Sequence, residues 1–485
     1  LLGNPQLRQT HGGDCVLLLT LLANYRKYEN VNPYIVKLSI LDDELALNGF
    51  SHVISTALSE HNRKYQEKLA SSEPRGMLSS ITNMVGGMFV AEEPTLDVIV
   101  KNNESLLLAM YEAVHLNRNF VATLTNTPAE AKNGSGDVYS GNEQLPNDIP
   151  SHLLAAFITY CSVVMHDLKS ERSRNAAKLC VIALTCISED QYANTLMHDI
   201  NMSFRVPLYR APMRHRKGTF DKNPPLRPLA ATVLDLCVEF IQSHMMRNLP
   251  MELYIWVIGV VRRILCYQKK CRVRLYYSWR ELWNALIALL RFLIQNESSL
   301  LEHMDIFSLL QRIVTTLNLF ITFGDTFLPS PATYDHLYYE IIRQADAFEN
   351  LYSMVLRHVN TANGYKDAAI RLGNQLVNIR GIISHFQPKI HQLGVSSTED
   401  QVLEVVRANY DSLTLKLYEN LDVYDRYNEK PRETTFFSNQ VRLIVNETKL
   451  KLQRQQLEKN VVLQELSNPK TFASLLHLNT TVSQI

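Results

Sequence analysis

Apolar residues recur at three- and four-residue spacings along almost the whole chain, the signature of helices that bury one face. The pattern predicts helices over 15–28, 43–69, 103–118, 172–187, 228–248, 251–268, 305–322, 334–359, 364–386, 398–429 and 433–458. Two further apolar runs, LLAAFITYCSVVM after Ser151 and LWNALIALLRFLI after Ser278-Trp279-Arg280-Glu281, carry start signals of their own, the second a capping-box pattern. Asp14 is expected to cap 15–28, and Asn32 followed by Pro33 opens a short helix. Convincing strands are absent, and only LDVIV at 96–100 looks locally extended. Amphipathic helices joined by short connectors, with no strand-helix alternation, predict an all-α armadillo/HEAT-like solenoid. Its repeats are irregular: helix pairs recur at about 40 to 47 residues without self-similarity.

The organisation expected from this pattern is an N-terminal part of the array over 1–124, a polar Gly/Pro/Asn-rich linker over 125–150, and a central array over 151–396. A proline-rich basic connection interrupts the central array at 199–228, and the helices of 397–485 form a long terminal hairpin. The chain starts at Leu1 without Met, so preceding material is expected. Seventeen glycines in 485 residues are too few for a turn-rich sheet protein, which agrees with the helical reading. Seven scattered cysteines, mostly inside apolar runs, imply a reducing compartment and no disulfide framework. The longest uninterrupted apolar stretches, 253–261 and 282–290, fall short of a bilayer span, so membrane contact is expected to be peripheral.

No phosphate loop, nucleophile elbow or paired metal-ligand motif is present. Cys266 and Cys271 lie among cations with no second pair, and the His166-Asp167 and His198-Asp199 dipeptides point in different directions on a helix. No catalytic, cofactor or metal site is therefore expected. Net charge is only +1, yet Arg205 to Arg280 holds 15 Lys and Arg against four acids, leaving −10 for the remainder. Arg205, Arg210, Arg214, Arg216 and Lys217 in one run, and Lys269, Lys270, Arg272 and Arg274 in another, are the candidate residues for a partner or an anionic surface. The same strip could serve a nucleic-acid-binding helical repeat protein, or remain a solvated face. A second feature is the uncharged stretch 76–91, where Met77, Leu78, Ile81, Met84, Val85, Met88 and Phe89 share one face. Backed by Ser, Asn and Gly, that face suits insertion into lipid-packing defects, and equally a core helix or one that enters a partner's groove.

Several strings resemble one known family. NYRKYENVNPYIVKLSI (24–40), MYEAVHLNRNF (110–120), EDQYAN (189–194), PMRHRK (212–217), LCYQKKCRVRLYYSWRELW (265–283), FGDTFLP (323–329), LYYEIIR (337–343) and EDQVLEVVRANYDSLTLKL (399–417) are similar to the armadillo-like helical domain-containing protein 3 family. The resemblance implies a non-enzymatic scaffold on the cytosolic face of the Golgi. It further implies association with phosphatidylinositol 4-kinase beta, support of phosphatidylinositol 4-phosphate production, and links to an Arf-like small GTPase and a large Golgi Arf exchange factor. Nucleic acid is not among the partners it implies, and it supplies no residue-level site.

Overall fold

A computed structural model describes residues 1–72, 103–125, 152–246, 248–361, 364–394 and 397–467. The chain opens with α1 (Pro5–Asn24), α2 (Pro33–Ser39) and α3 (Glu44–Ser72), followed by α4 (Glu104–Leu116) and α5 (Arg118–Ala122). Next come α6 (Leu153–Val164), α7 (Glu171–Glu189) and α8 (Gln191–His198), and then the short strands β1 (Ser203–Arg205), β2 (Tyr209–Arg210), β3 (Thr219–Phe220) and β4 (Leu226–Pro228). The array continues through α9 (Leu229–Ser243), α10 (Met251–Cys271), α11 (Trp279–Gln295), α12 (Glu297–Leu301) and α13 (Ile306–Phe327). It ends with α14 (Pro331–Arg343), α15 (Ala345–Asn360), α16 (Lys366–Gln375), α17 (Val377–His391), α18 (Glu399–Ala408) and α19 (Thr434–Ser467).

The helices stack in two rows. One row runs α1–α4–α7–α10–α13–α16 and the other α3–α6–α9–α11–α14–α17, each helix packing on the next of its row. The apolar stripes explain the stacking. In α11, Leu282, Trp283, Leu286, Leu289, Leu290 and Leu293 recur at helical spacing and are all buried, and each Leu so buried contributes about 1.5–3 kcal/mol. Trp279 and Trp283 meet the edge of Phe320 of α13 at 5.4 and 5.6 Å between ring centroids, which joins the rows. Among the described residues one helix, Ile306–Phe327, is long and apolar enough to cross a bilayer, which the stretch-by-stretch reading missed because polar residues interrupt it. Here it is a core helix wedged between α10 and α16.

Several start signals are used as expected and others are not. Asn32 caps α2 by accepting from Tyr34 and Ile35 backbone N–H at 2.8 and 3.3 Å. Helix α1 is capped ten residues before the expected Asp14 cap, because Asn4 accepts from Leu7 N–H at 3.1 Å and Pro5 occupies the first turn. Ser278 precedes α11 without a side-chain cap, whereas Thr398 and Gln401 form a capping box at α18.

The terminal hairpin of two long helices does not form. Helix α18 ends at Ala408, and residues 413–433 leave the array as a non-helical strap that leads into α19. This strap runs back along the first row towards the N-terminal end. Asn378 side-chain amide and carbonyl groups pair with the Lys416 backbone at 2.8 and 2.7 Å, Arg262 of α10 donates to the carbonyls of Leu421 and Val423 at 3.0 and 2.7 Å, and Glu189 of α7 accepts from Tyr427 N–H at 2.8 Å. The connection at 199–228, expected to be irregular, contains two small antiparallel ribbons, β1 with β4 and β2 with β3.

Candidate partner and anion surfaces

The predicted basic strip divides into cations engaged by carboxylates or carbonyls of the fold and exposed cations without such a partner among the described residues. Glu239 of α9, itself buried, holds the first run: it accepts from Ala211 N–H at 3.2 Å and pairs with Arg216 and, at 3.4 Å, with Arg210. Arg210 also pairs with Asp221 across the ribbon at 2.8 Å, and Arg205 donates to Pro224 carbonyl at 3.0 Å. In the second run Lys269 pairs with Asp422 of the strap at 2.6 Å, lowering the Asp422 carboxyl below its ordinary range, mainly through that hydrogen bond. Arg274 donates to the carbonyls of Leu328 and Asp325. Arg214, Lys217, Lys270 and Arg272 are exposed, and Arg272 closes α10 in the left-handed region at φ 52°. The apolar face proposed over Met77 to Phe89 lies outside the described residues.

The strap carries the most elaborate polar chemistry, and sequence reading missed it because its partners lie hundreds of residues away. Lys27, from the turn after α1, sits between Glu112 of α4 at 2.6 Å and Glu429 of the strap at 2.8 Å. Glu429 also accepts from the hydroxyls of Tyr28 and, at 2.7 Å, Tyr111. All three charged groups are nearly inaccessible, with side-chain exposures of 9, 2 and 7% for Lys27, Glu112 and Glu429. Burial pushes both carboxyls up. For Glu112 burial prevails over Lys27, whereas for Glu429 the Lys27 charge and three hydrogen bonds prevail and hold it below the ordinary range. Beyond this point Lys178 of α7 pairs with both Glu252 of α10 and Glu433 at 2.5 and 2.7 Å, and Arg172 joins Glu104 of α4 to Glu447 of α19.

Between the strap and the first row lies an open cleft of about 790 Å³, walled by one face of α10 (Trp256, Gly259, Arg263) and one face of α13 (Ser308, Arg312, Thr315), and roofed by residues 423–433. The histidines of the His-Asp dipeptides have structural partners. His166 stacks on His244 at 5.2 Å, and His198 bonds to Asn194 carbonyl at 2.7 Å and to the Gln268 side chain at 3.0 Å. Burial depresses both rings, His198 to about 4. Among the described residues no three His, Cys, Asp or Glu side chains are grouped so as to hold a metal ion, and Cys266 is buried while Cys271 is exposed.

A family model described as "Armadillo-like helical domain-containing protein 3, C-terminal" matches residues 227–450. A Homo sapiens protein named armadillo-like helical domain-containing protein 3 is 52% identical over 495 aligned positions, covering 96% of this chain and 71% of that protein. Proteins of the same name from Xenopus laevis and Danio rerio are 51% and 49% identical, covering 96% of this chain and 71% and 72% of their own. No solved structure matches the chain.

Proposed function

Because the chain belongs to the armadillo-like helical domain-containing protein 3 family, we propose that it is a non-catalytic scaffold on the cytosolic face of Golgi membranes. In this reading it binds phosphatidylinositol 4-kinase beta and supports phosphatidylinositol 4-phosphate production, is an effector of an Arf-like small GTPase, and works beside a large Golgi Arf exchange factor. The observation that carries the scaffold part is the two-row array itself, whose helices present an extended, preorganised surface. Arg214 and Lys217 on the ribbon segment, and Lys270 and Arg272 at the end of α10, are exposed cations suited to an acidic partner surface or anionic lipid head groups.

The test uses purified chain against the kinase and against the GTPase loaded with GDP or a GTP analogue. The reading expects kinase capture, nucleotide-dependent GTPase binding, and higher lipid kinase output on Golgi-like vesicles when the chain is present. Reversing Arg214, Lys217, Lys270 and Arg272 to Glu should weaken at least one of these contacts, and more so at low than at high salt. If neither protein binds, or turnover of a substrate is found with the chain alone, the scaffold reading is wrong.

A further inference from the structure

The cleft under the strap is built from three remote segments that converge on the same sign of charge. Six cationic side chains line it: Arg262 and Arg263 from α10, Arg312 from α13, and Arg426, Lys430 and Arg432 from the strap. Three carboxylates line it as well, Glu252, Asp425 and Glu433, but Glu252 and Glu433 are both engaged by Lys178. Arg263 is matched by Glu189 at 2.7 Å. Arg262 spends its terminal nitrogen on two backbone carbonyls and forms no ion pair among the described residues, the nearby Asp422 being taken up by Lys269, and its Nε is buried without a hydrogen-bond partner among the described residues. Arg312, Arg426 and Arg432 have no carboxylate partner among the described residues, and the remaining counter-charge of the lining is Asp425 together with the one unit that Lys178 leaves on the Glu252–Glu433 pair.

Arg312, Arg426, Lys430 and Arg432 are exposed along the cleft, as is Asp425, so the excess of positive charge faces solvent and is open to an incoming anion. Arg312 is reached by solvent through the cleft mouth but is flanked by protein, and burial followed by the charges of Arg262, Arg263 and Arg432 pushes its guanidinium below its ordinary range, with Asp425 opposing. Guanidinium groups are planar forks that match phosphate oxygens two at a time and stay charged at any ordinary pH. The volume falls within the range of small-molecule sites, about 300–1,000 Å³, and Trp256, Tyr424 and Tyr427 supply apolar wall beside the cations. Neither the array fold nor the scaffold reading requires this arrangement.

We propose that the cleft between α10, α13 and the strap is a binding site for a small, multiply phosphorylated molecule, with Arg262, Arg312 and Arg432 as its principal phosphate ligands. The shared chemistry is a cluster of phosphate monoesters, which a soluble polyphosphate or the head group of a phosphorylated lipid would both present. Occupation neutralises the Arg312 cluster and braces the strap against the first row.

The experiment titrates the full chain with inositol hexakisphosphate by calorimetry, and in parallel measures sedimentation with phosphatidylcholine vesicles with and without phosphatidylinositol bisphosphate. Binding of the soluble probe at about one per chain, or of the doped vesicles over the plain ones, supports the site, and the stronger arm tells which source it takes. Arg312→Gln and Arg432→Gln should each weaken binding about tenfold or more, the loss expected for one charged hydrogen-bonding pair. Arg312→Gln should at the same time leave the thermal midpoint unchanged or higher, because it removes a like charge from the cluster. That combination separates a ligand-binding role from a folding role. The proposal is overturned if neither arm binds, if the two variants bind as tightly as the parent chain, or if an acidic peptide without phosphate competes as well as the probe.

Discussion

Lys27→Met probes the polar lock that holds the strap to the N-terminal helices. The change keeps most of the side-chain volume and removes one buried charge from between Glu112 and Glu429. Two carboxylates are then left facing each other without a cation, and breaking a buried pair in this way costs about 3–5 kcal/mol. Unfolding of a long helical array need not be one cooperative step, so the suitable readout is local. Amide hydrogen exchange over 413–433 should lose about two to three and a half orders of magnitude of protection at pH 7, since ~1.4 kcal/mol corresponds to a factor of ten.

The sign of the pH dependence follows from the two carboxyls. In the parent chain Glu429 is held below its ordinary range, so it contributes stability above the unfolded carboxyl range that fades as the pH falls; Glu112 is raised, and its burial becomes less costly in acid. Without Lys27 both carboxyls move up, so the cost of the variant is largest near neutrality and shrinks as the pH falls through their raised range and they take up protons. A companion variant carrying Lys27→Met, Glu112→Gln and Glu429→Gln removes all three charges together and should recover a large part of the lost protection. The reasoning fails if the single variant loses less than tenfold, or if the triple variant is worse than the single one.

Two glycines make opposite predictions for one substitution. A Cβ on Gly49 of α3 would stand 2.0 Å from the carbonyl oxygen of Leu2, so Gly49→Ala must displace the N-terminal segment and should cost about 1–3 kcal/mol, read as faster proteolysis within residues 1–24. Nothing lies within 4 Å of a Cβ on Gly13 in α1, and Gly13→Ala should stabilise by about 0.5–1 kcal/mol in the same assay. The buried rings of His61 and His198 are depressed to about 4 by burial, from an ordinary value of 6.5. Their folded values lie below the unfolded one, so stability is full above pH 6.5 and falls through the window down to pH 4, by about 3 kcal/mol per ring. A urea midpoint that does not move between pH 7 and pH 5 would contradict this.

The stacked rows were legible because each helix carries its own evidence: the buried stripe of α11 or the Asn32-Pro33 start can be read within a dozen residues. Where one signal served two structures, reading failed. In 413–433, apolar and aromatic residues such as Leu415, Leu417, Tyr418, Leu421, Tyr424 and Tyr427 sit at spacings that a helix would also satisfy. The segment is instead held extended by side chains of α7, α10 and the turn after α1, whose partners lie up to 402 residues away. The ribbons of 203–228 were hidden by their length of two or three residues per strand and by their prolines. The basic strip was real as a charge count, yet folding redistributed it: Glu239 and Asp422 take up Arg216 and Lys269, while Arg262 and Arg263 join Arg312, Arg426 and Arg432 from outside the counted window.

One segment therefore serves two purposes, and that couples them. Residues 423–433 roof the arginine cleft, and Glu429 within them is the far end of the Lys27 lock. A ligand that needs the docked strap stabilises docking by RT ln(1 + [L]/Kd), about 2.7 kcal/mol at a hundredfold excess over Kd. That approaches the lower end of the loss assigned to Lys27→Met, so polyphosphate at a hundredfold excess should restore about two orders of magnitude of the exchange protection that the variant loses. Reciprocity requires that Lys27→Met in turn weaken the polyphosphate once the undocked strap is populated, although Lys27 is not among the residues lining the cleft. Were the strap held by the lock and the cleft independently, ligand would leave exchange at Glu429 untouched; a single stiff segment pinned at Arg262 and at Lys27 does not permit that separation.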